Sequence, residues 1–179
     1  MFTELQKQVP GILPSQYSDL GDLVAIDGSL IDSVLSMYWV EYRTNSKKAK
    51  LHLGFDLNHG VPHKLSLTEG SGAERPFVRK IIDPGQTGVM DRGYQAHHLF
   101  DQWQQDECHF VCRIRENTKK TILEELSLQE NSHVFFDAKV LLGSPHINQS
   151  KEPLRLVGYI VEGKEYWVAQ IALIYQQNR

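Results

Sequence analysis

Along the chain the apolar residues fall into short blocks whose period changes with position. "KAKLHLGFDL" alternates, with Leu51, Leu53, Phe55 and Leu57 on one side and Lys50, His52, Gly54 and Asp56 on the other, the period of a strand with one covered face. "NHG" turns the chain, and "PHKLSLTEG" is predicted to return as the antiparallel partner. "AERPFVRKII" predicts a short amphipathic helix with proline in its first turn, stopped by "DPGQTG". "YQAHHLFDQWQQDE" predicts a second helix, with Leu99, Phe100 and Trp103 facing inward, and "HFVCRI" resumes strand. Two apolar runs end on aspartate. "LVAI" is predicted as a strand ending at Asp27 and broken at Gly28, and "TGVM" runs straight into Asp91. Between them "SVLSMYWVEY" has helical character, with β-branched and aromatic residues that also suit a strand. From Thr118 to Ala169 the pattern is strand-like throughout: "TILEELSL", "VFFDAKVLL", "LRLVGYIVEG" and "EYWVAQIAL", joined by Gly, Asn, Pro and Ser turns.

These blocks give an α/β fold whose sheet is mixed rather than uniformly parallel, with a β-rich subdomain following the mixed part. Residues 1–22, with "VPGILPSQYSDLGD", read as a remnant and linker; 23–117 as the core; 118–169 as a β insertion; and 170–179 as the start of a final helix. The 179 residues and 41% hydrophobic content suffice for one sizeable core. The net charge of −3 excludes binding to nucleic acid by bulk charge, so an anionic partner must be met by local patches. Two cysteines, Cys108 and Cys112, exclude a disulfide-stapled scaffold. Without a signal peptide or a long apolar span, the expected setting is the cytoplasm, with no membrane contact.

Both aspartates, so placed, sit where open α/β sheets put their ligand sites. Two carboxylates about 5 Å apart repel by about 3 kcal/mol at an effective dielectric near 20, and a divalent cation removes that conflict. Mg²⁺ prefers one or two carboxylates with waters and phosphate oxygens. The alternative is that each aspartate caps a turn before a glycine, Gly28 or Gly93.

"AIDGSLIDSVLSMYW", "SKKAKLHLGFDL", "GAERPFV" and "PGQTGVMDRGYQAHHLFDQW" resemble, in order and spacing, the DDE transposases of the insertion-sequence-four family, over most of the chain from about Leu20 to Ala169. The resemblance implies an RNase H-like catalytic core, a mixed sheet flanked by helices, with a β-strand insertion before the last catalytic helix. It implies that Asp27 in "IDGS" and Asp91 in "MDRGY" are the first two metal-binding, catalytic aspartates, with Mg²⁺ or Mn²⁺ as cofactor. It further implies metal-dependent cleavage of double-stranded DNA at transposon ends, followed by attack of the freed 3′-hydroxyl on target DNA. The family's third acid, a glutamate in a Tyr, Arg, Glu, Lys signature, has no match: "IALIYQQNR" supplies Tyr175, Arg179 stands one position late, and no glutamate or lysine follows. The expectation is therefore a truncated copy, impaired in catalysis, of low solubility unless it forms a homodimer or the helix is supplied elsewhere. Two alternatives stand beside it: an inactive DNA-binding remnant, and a metal-dependent nuclease using Asp56 or Glu162 as third ligand.

Candidate DNA contacts are Arg43, Lys47, Lys48, Lys50 and His52 before and on the second strand, equally readable as a solvated loop, and Arg92 and Tyr94 beside the second aspartate. Tyr94 equally suits packing. Glu162 and Glu165 read as solvated charges of an "EGKE" turn, and Arg75, Arg79 and Lys80 as surface charges. His97, His98, Cys108, His109 and Cys112 match no standard zinc spacing, and the two cysteines suit core thiols on a strand.

Overall fold

The computed structural model describes residues 4, 8–12, 14, 20–32, 48–130 and 132–171. The "SVLSMYWVEY" segment, Arg43, Lys47, Tyr175 and Arg179 lie outside the described residues. The chain divides into two compact units, Met1–Val89 and Met90–Arg179. The elements are mixed α and β with few helices.

In the first unit the strands are β1 (Asp22–Asp32), β2 (Lys48–Asp56), β3 (Val61–Glu69) and β4 (Gln86–Met90), in the order β3-β2-β1-β4. The β1–β2 and β2–β3 ladders are antiparallel. The turn between β2 and β3 is built by Asp56. Its carboxylate accepts from the backbone N–H groups of Asn58 at 2.8 Å and His59 at 3.1 Å and meets the His59 ring at 2.8 Å, and Gly60 supplies the positive φ of 70°. A 3₁₀ turn, Arg75–Phe77, with Pro76 in its first turn, leads into α1 (Val78–Ile81).

Two expectations are corrected here. β1 does not end at Asp27. It continues through Gly28 to Asp32, because the ladder with β2 runs on through Asp27↔Leu53 and Gly28↔His52 to Asp32↔Lys48, and a paired glycine need not stop a strand. The faces of β2 are also reversed. His52, Gly54 and Asp56 are buried, whereas Leu51, Leu53 and Phe55 are half-buried. The covering element explains this: a Cβ on Gly54 would stand 2.3 Å from the Ile81 side chain, so α1 packs close against that face. Val24, Ile26, Val78, Ile81 and Ile82 fill the core beside it.

In the second unit a 3₁₀ turn, Arg92–Tyr94, precedes α2 (His97–Gln105), followed by β5 (His109–Arg113), β6 (Lys120–Glu125), β7 (Val134–Leu142), β8 (Leu154–Val161) and β9 (Lys164–Ile171). Their order is β5-β9-β8-β7-β6, and the ladders joining them are antiparallel. The four strands expected after Thr118 are all present, and β9 pairs directly with β5. The β8–β9 hairpin turns at Glu162 and Gly163, both at positive φ, as a two-residue turn of this hand requires. α2 buries Phe100 and Trp103 as its pattern predicted, with Leu99 half-buried at the side. Their rings pack on Phe110 of β5, with centroids 4.8 and 5.5 Å away. Beneath them Cys112, Ala138, Val140, Leu154, Leu156 and Ala169 form the covered face of the sheet. Among the described residues no helix is long and apolar enough to cross a membrane.

Candidate functional site

Asp27 belongs to the first unit and Asp91 to the second. Asp27 lies mid-strand on β1, on the face opposite the one α1 covers, because its neighbours Ile26 and Gly28 point into that covered side. Its carboxylate is exposed and accepts a hydrogen bond from Ser29 Oγ at 3.1 Å. Asp91 follows the last residue of β4. Its carbonyl accepts from Tyr94 N–H at 3.0 Å and so opens the 3₁₀ turn, but its carboxylate makes no capping hydrogen bond. The carboxylate instead faces Arg113 of β5, with Nη1 3.6 Å from Oδ1 and the side chains 43% and 61% exposed. A contact so long and so wet is worth about 1 kcal/mol at most, and a cation of higher charge can replace it. Turn capping, the alternative reading of Asp91, has no support in this geometry.

The basic candidates separate into those with and those without a free surface. Lys48 pairs with Asp32 at 3.4 Å, and Lys50, largely buried, pairs with Glu74 at 3.1 Å. His52 is 0% exposed, which overturns its expected role in contacting phosphates. Its ring stacks on Phe77 with centroids 3.9 Å apart, and its Nε2 meets Thr68 Oγ1 at 2.9 Å. Tyr94 is likewise buried, so it is a packing residue and not a DNA contact. Arg92 is exposed and lines a pocket of about 620 Å³ with Arg115, Glu116 and Asn117.

Burial pushes the His52 imidazole below its ordinary 6.5, the Lys50 charge acts in the same direction, and Glu74 opposes both. Protonation would also place an N–H at Nδ1, for which no partner stands among the described residues. With the folded-state pKa lowered, the unfolded chain binds the proton more readily. This contribution to stability is complete above pH 6.5 and is lost as pH falls below it toward the folded value. The expected result is a urea midpoint that drops on acidification below about pH 6.5, with a weaker drop in His52→Gln. Equal drops in both chains would show that other groups carry the dependence.

Among the described residues no three His, Cys, Asp or Glu side chains converge as a metal cage requires. Cys112 is buried on β5, whereas Cys108 precedes the strand and is half-buried. His97 Nδ1 sits 2.7 Å from the Asn148 carbonyl. Asp56, weighed as a third ligand, is committed to its turn, and Glu162 and Glu165 are exposed at the β8–β9 hairpin.

Polar residues that sequence reasoning passed over do structural work. Asp101 of α2 is buried and accepts from the backbone N–H groups of Lys151 and Glu152 at 2.9 to 3.0 Å, tying the β7–β8 loop to the helix. Asp137 and Arg155 form a buried two-pronged ion pair across the β7–β8 ladder. A carboxylate at an otherwise inward helical position was the available signal for Asp101.

Set beside known families, residues 20–177 match the family model described as transposase DDE domain. No curated protein matches the chain.

Proposed function

The chain belongs to the transposase DDE domain family, and from that premise we propose that it acts on DNA phosphodiesters in transposition, with Asp27 and Asp91 as metal-binding carboxylates. The observation that carries the reading is Asp91 itself: an exposed carboxylate at the end of a strand, uncommitted to capping, facing one weakly held arginine. Asp27 is similarly open, with a serine hydroxyl as its hydrogen-bonding neighbour. Such hard oxygen donors suit Mg²⁺ or Mn²⁺, which take one or two carboxylates and complete their shell with water and phosphate oxygens. The finer assignment, an RNase H-like core of the insertion-sequence-four type, rests on the sequence blocks around these two residues.

The bound cation supplies a water of lowered pKa and neutralises charge developing on the phosphate. The chain's own residues have separate duties. Asp27 and Asp91 present carboxylate oxygens, and Arg113 is the weakly held cation whose place beside Asp91 a divalent ion would take. The exposed cations beside Asp91 hold the DNA backbone. Double-stranded DNA is then the partner, as transposon end and as target. A chain that binds DNA without cutting it is the rival outcome of the same experiment.

That experiment is calorimetric titration with Mn²⁺ of the wild type and of Asp27→Ala, followed by incubation of each with supercoiled plasmid. The expected result is Mn²⁺ binding and plasmid nicking in the wild type and neither in the variant. DNA binding without Mn²⁺ binding in the wild type would leave the rival in place.

A further inference from the structure

We propose that Arg92 and Arg115 form a seat for a phosphate of the DNA backbone, held in shape by Gln95; the inference rests on the DNA-processing reading above. The two arginines line one pocket with Glu116 and Asn117. Both are exposed, and neither has an ion pair among the described residues. Neighbouring arginines of this unit are already committed: Arg113 faces Asp91, and Arg155 is paired with Asp137. The formal charge of the seat is two positive against the one negative of Glu116. In a chain of net charge −3 such a local excess is what an anionic polymer requires.

The pocket walls are built, not incidental. Arg115 opens a tight turn closed by Thr118 N–H donating to the Arg115 carbonyl at 3.0 Å. Gln95 clamps that turn from both sides: its Oε1 accepts from Arg115 N–H at 2.9 Å, and its Nε2 donates to Thr118 Oγ1 at 2.9 Å. Its own N–H donates to the Arg92 carbonyl at 3.3 Å. One side chain and its backbone therefore fix the main chain at both arginines, so the backbone that carries them need not be ordered when a phosphate arrives. Guanidinium forks match pairs of phosphate oxygens, and the Asn117 amide adds a neutral donor. Arg92 directly follows Asp91, so a phosphate seated there lies along the chain from the proposed catalytic carboxylate.

The test is anisotropy of a labelled duplex titrated with the full chain in EDTA, which blocks cleavage, across a series of salt concentrations. Each phosphate contact contributes about 0.9 to the slope of log affinity against log salt. Arg92→Ala/Arg115→Ala is expected to lower the slope by about 0.9, the contribution of the one phosphate seated there, and Arg115→Ala alone by less. Lys164→Ala, on the exposed β8–β9 hairpin, leaves the slope unchanged. Gln95→Ala weakens binding at a constant slope, since it removes order and not charge. A wild-type slope retained by the double variant overturns the seat while leaving DNA binding intact. No duplex binding by the wild type would overturn the DNA reading itself. Inorganic phosphate that binds the wild type and not the double variant, yet leaves the duplex bound, would assign the seat to free phosphate and overturn it as a DNA contact.

Discussion

Asp137→Ala is expected to destabilise the protein by about 3–5 kcal/mol, because it leaves the Arg155 guanidinium charged and buried without its carboxylate. In the register of β7 and β8, Asp137 stands opposite Val157 and Lys139 opposite Arg155, so the pair is diagonal across one ladder. Arg155 Nε donates to Asp137 Oδ1 at 2.8 Å, Nη2 donates to Oδ2, and the side chains are only 10% and 8% exposed. The attraction in such a place offsets a desolvation cost of several kcal/mol per ion, so the pair matters most when half of it is removed. Asp137→Asn keeps an acceptor and should cost less. Replacing both residues, Asp137→Leu with Arg155→Met, should recover most of the loss, since no buried charge is left. Urea unfolding followed by circular dichroism measures all three. A loss below about 1 kcal/mol in Asp137→Ala would mean that water reaches the guanidinium and the pair is a surface contact.

That pair was not legible in the sequence, and the reason extends to much of what was missed. Strands with local signals were readable: β2 and β3 from alternation around a turn, β6 to β9 from short apolar runs between Gly, Asn and Pro breaks. Which face they bury was less readable. On β2 the leucines and Phe55 looked like the core side, yet the 3₁₀ turn and α1 cover the other side. There the two buried polar side chains find local partners, His52 through Nε2 at Thr68 and Asp56 in its own turn. Gly54 was the signal available, since an isolated glycine in a strand marks a close approach, and Ile81 makes it. The end of β1 was misplaced for a related reason. Gly28 looked like a stop, but strand length is decided by the partner strand, and β2 pairs as far as Asp32. Asp91 was placed correctly, because there the apolar run and the strand end together. The pocket beside it depends on Gln95 reaching a turn twenty residues on, which no local pattern encodes.

Asp91→Asn is expected to abolish Mn²⁺ binding and plasmid nicking while sparing the fold and duplex binding in EDTA. The substitution keeps shape and removes one charge from an exposed side chain, so nothing buried is left unsatisfied. Loss of a partner that merely supports a metal ligand costs roughly 10–100-fold in affinity, and loss of a ligand itself should exceed that. Duplex affinity should hold or rise slightly, since an anion beside Arg113 has gone and the arginine is released toward the solvent. Arg113→Ala is the informative contrast. It frees the carboxylate from its one cation, so Mn²⁺ should bind as tightly as in the wild type or more tightly, with no loss of stability beyond that of a surface pair. If Asp91→Asn binds Mn²⁺ like the wild type, Asp91 is not a ligand. If Arg113→Ala loses Mn²⁺ along with it, Arg113 holds the carboxylate in its productive orientation, and the pair acts as one unit.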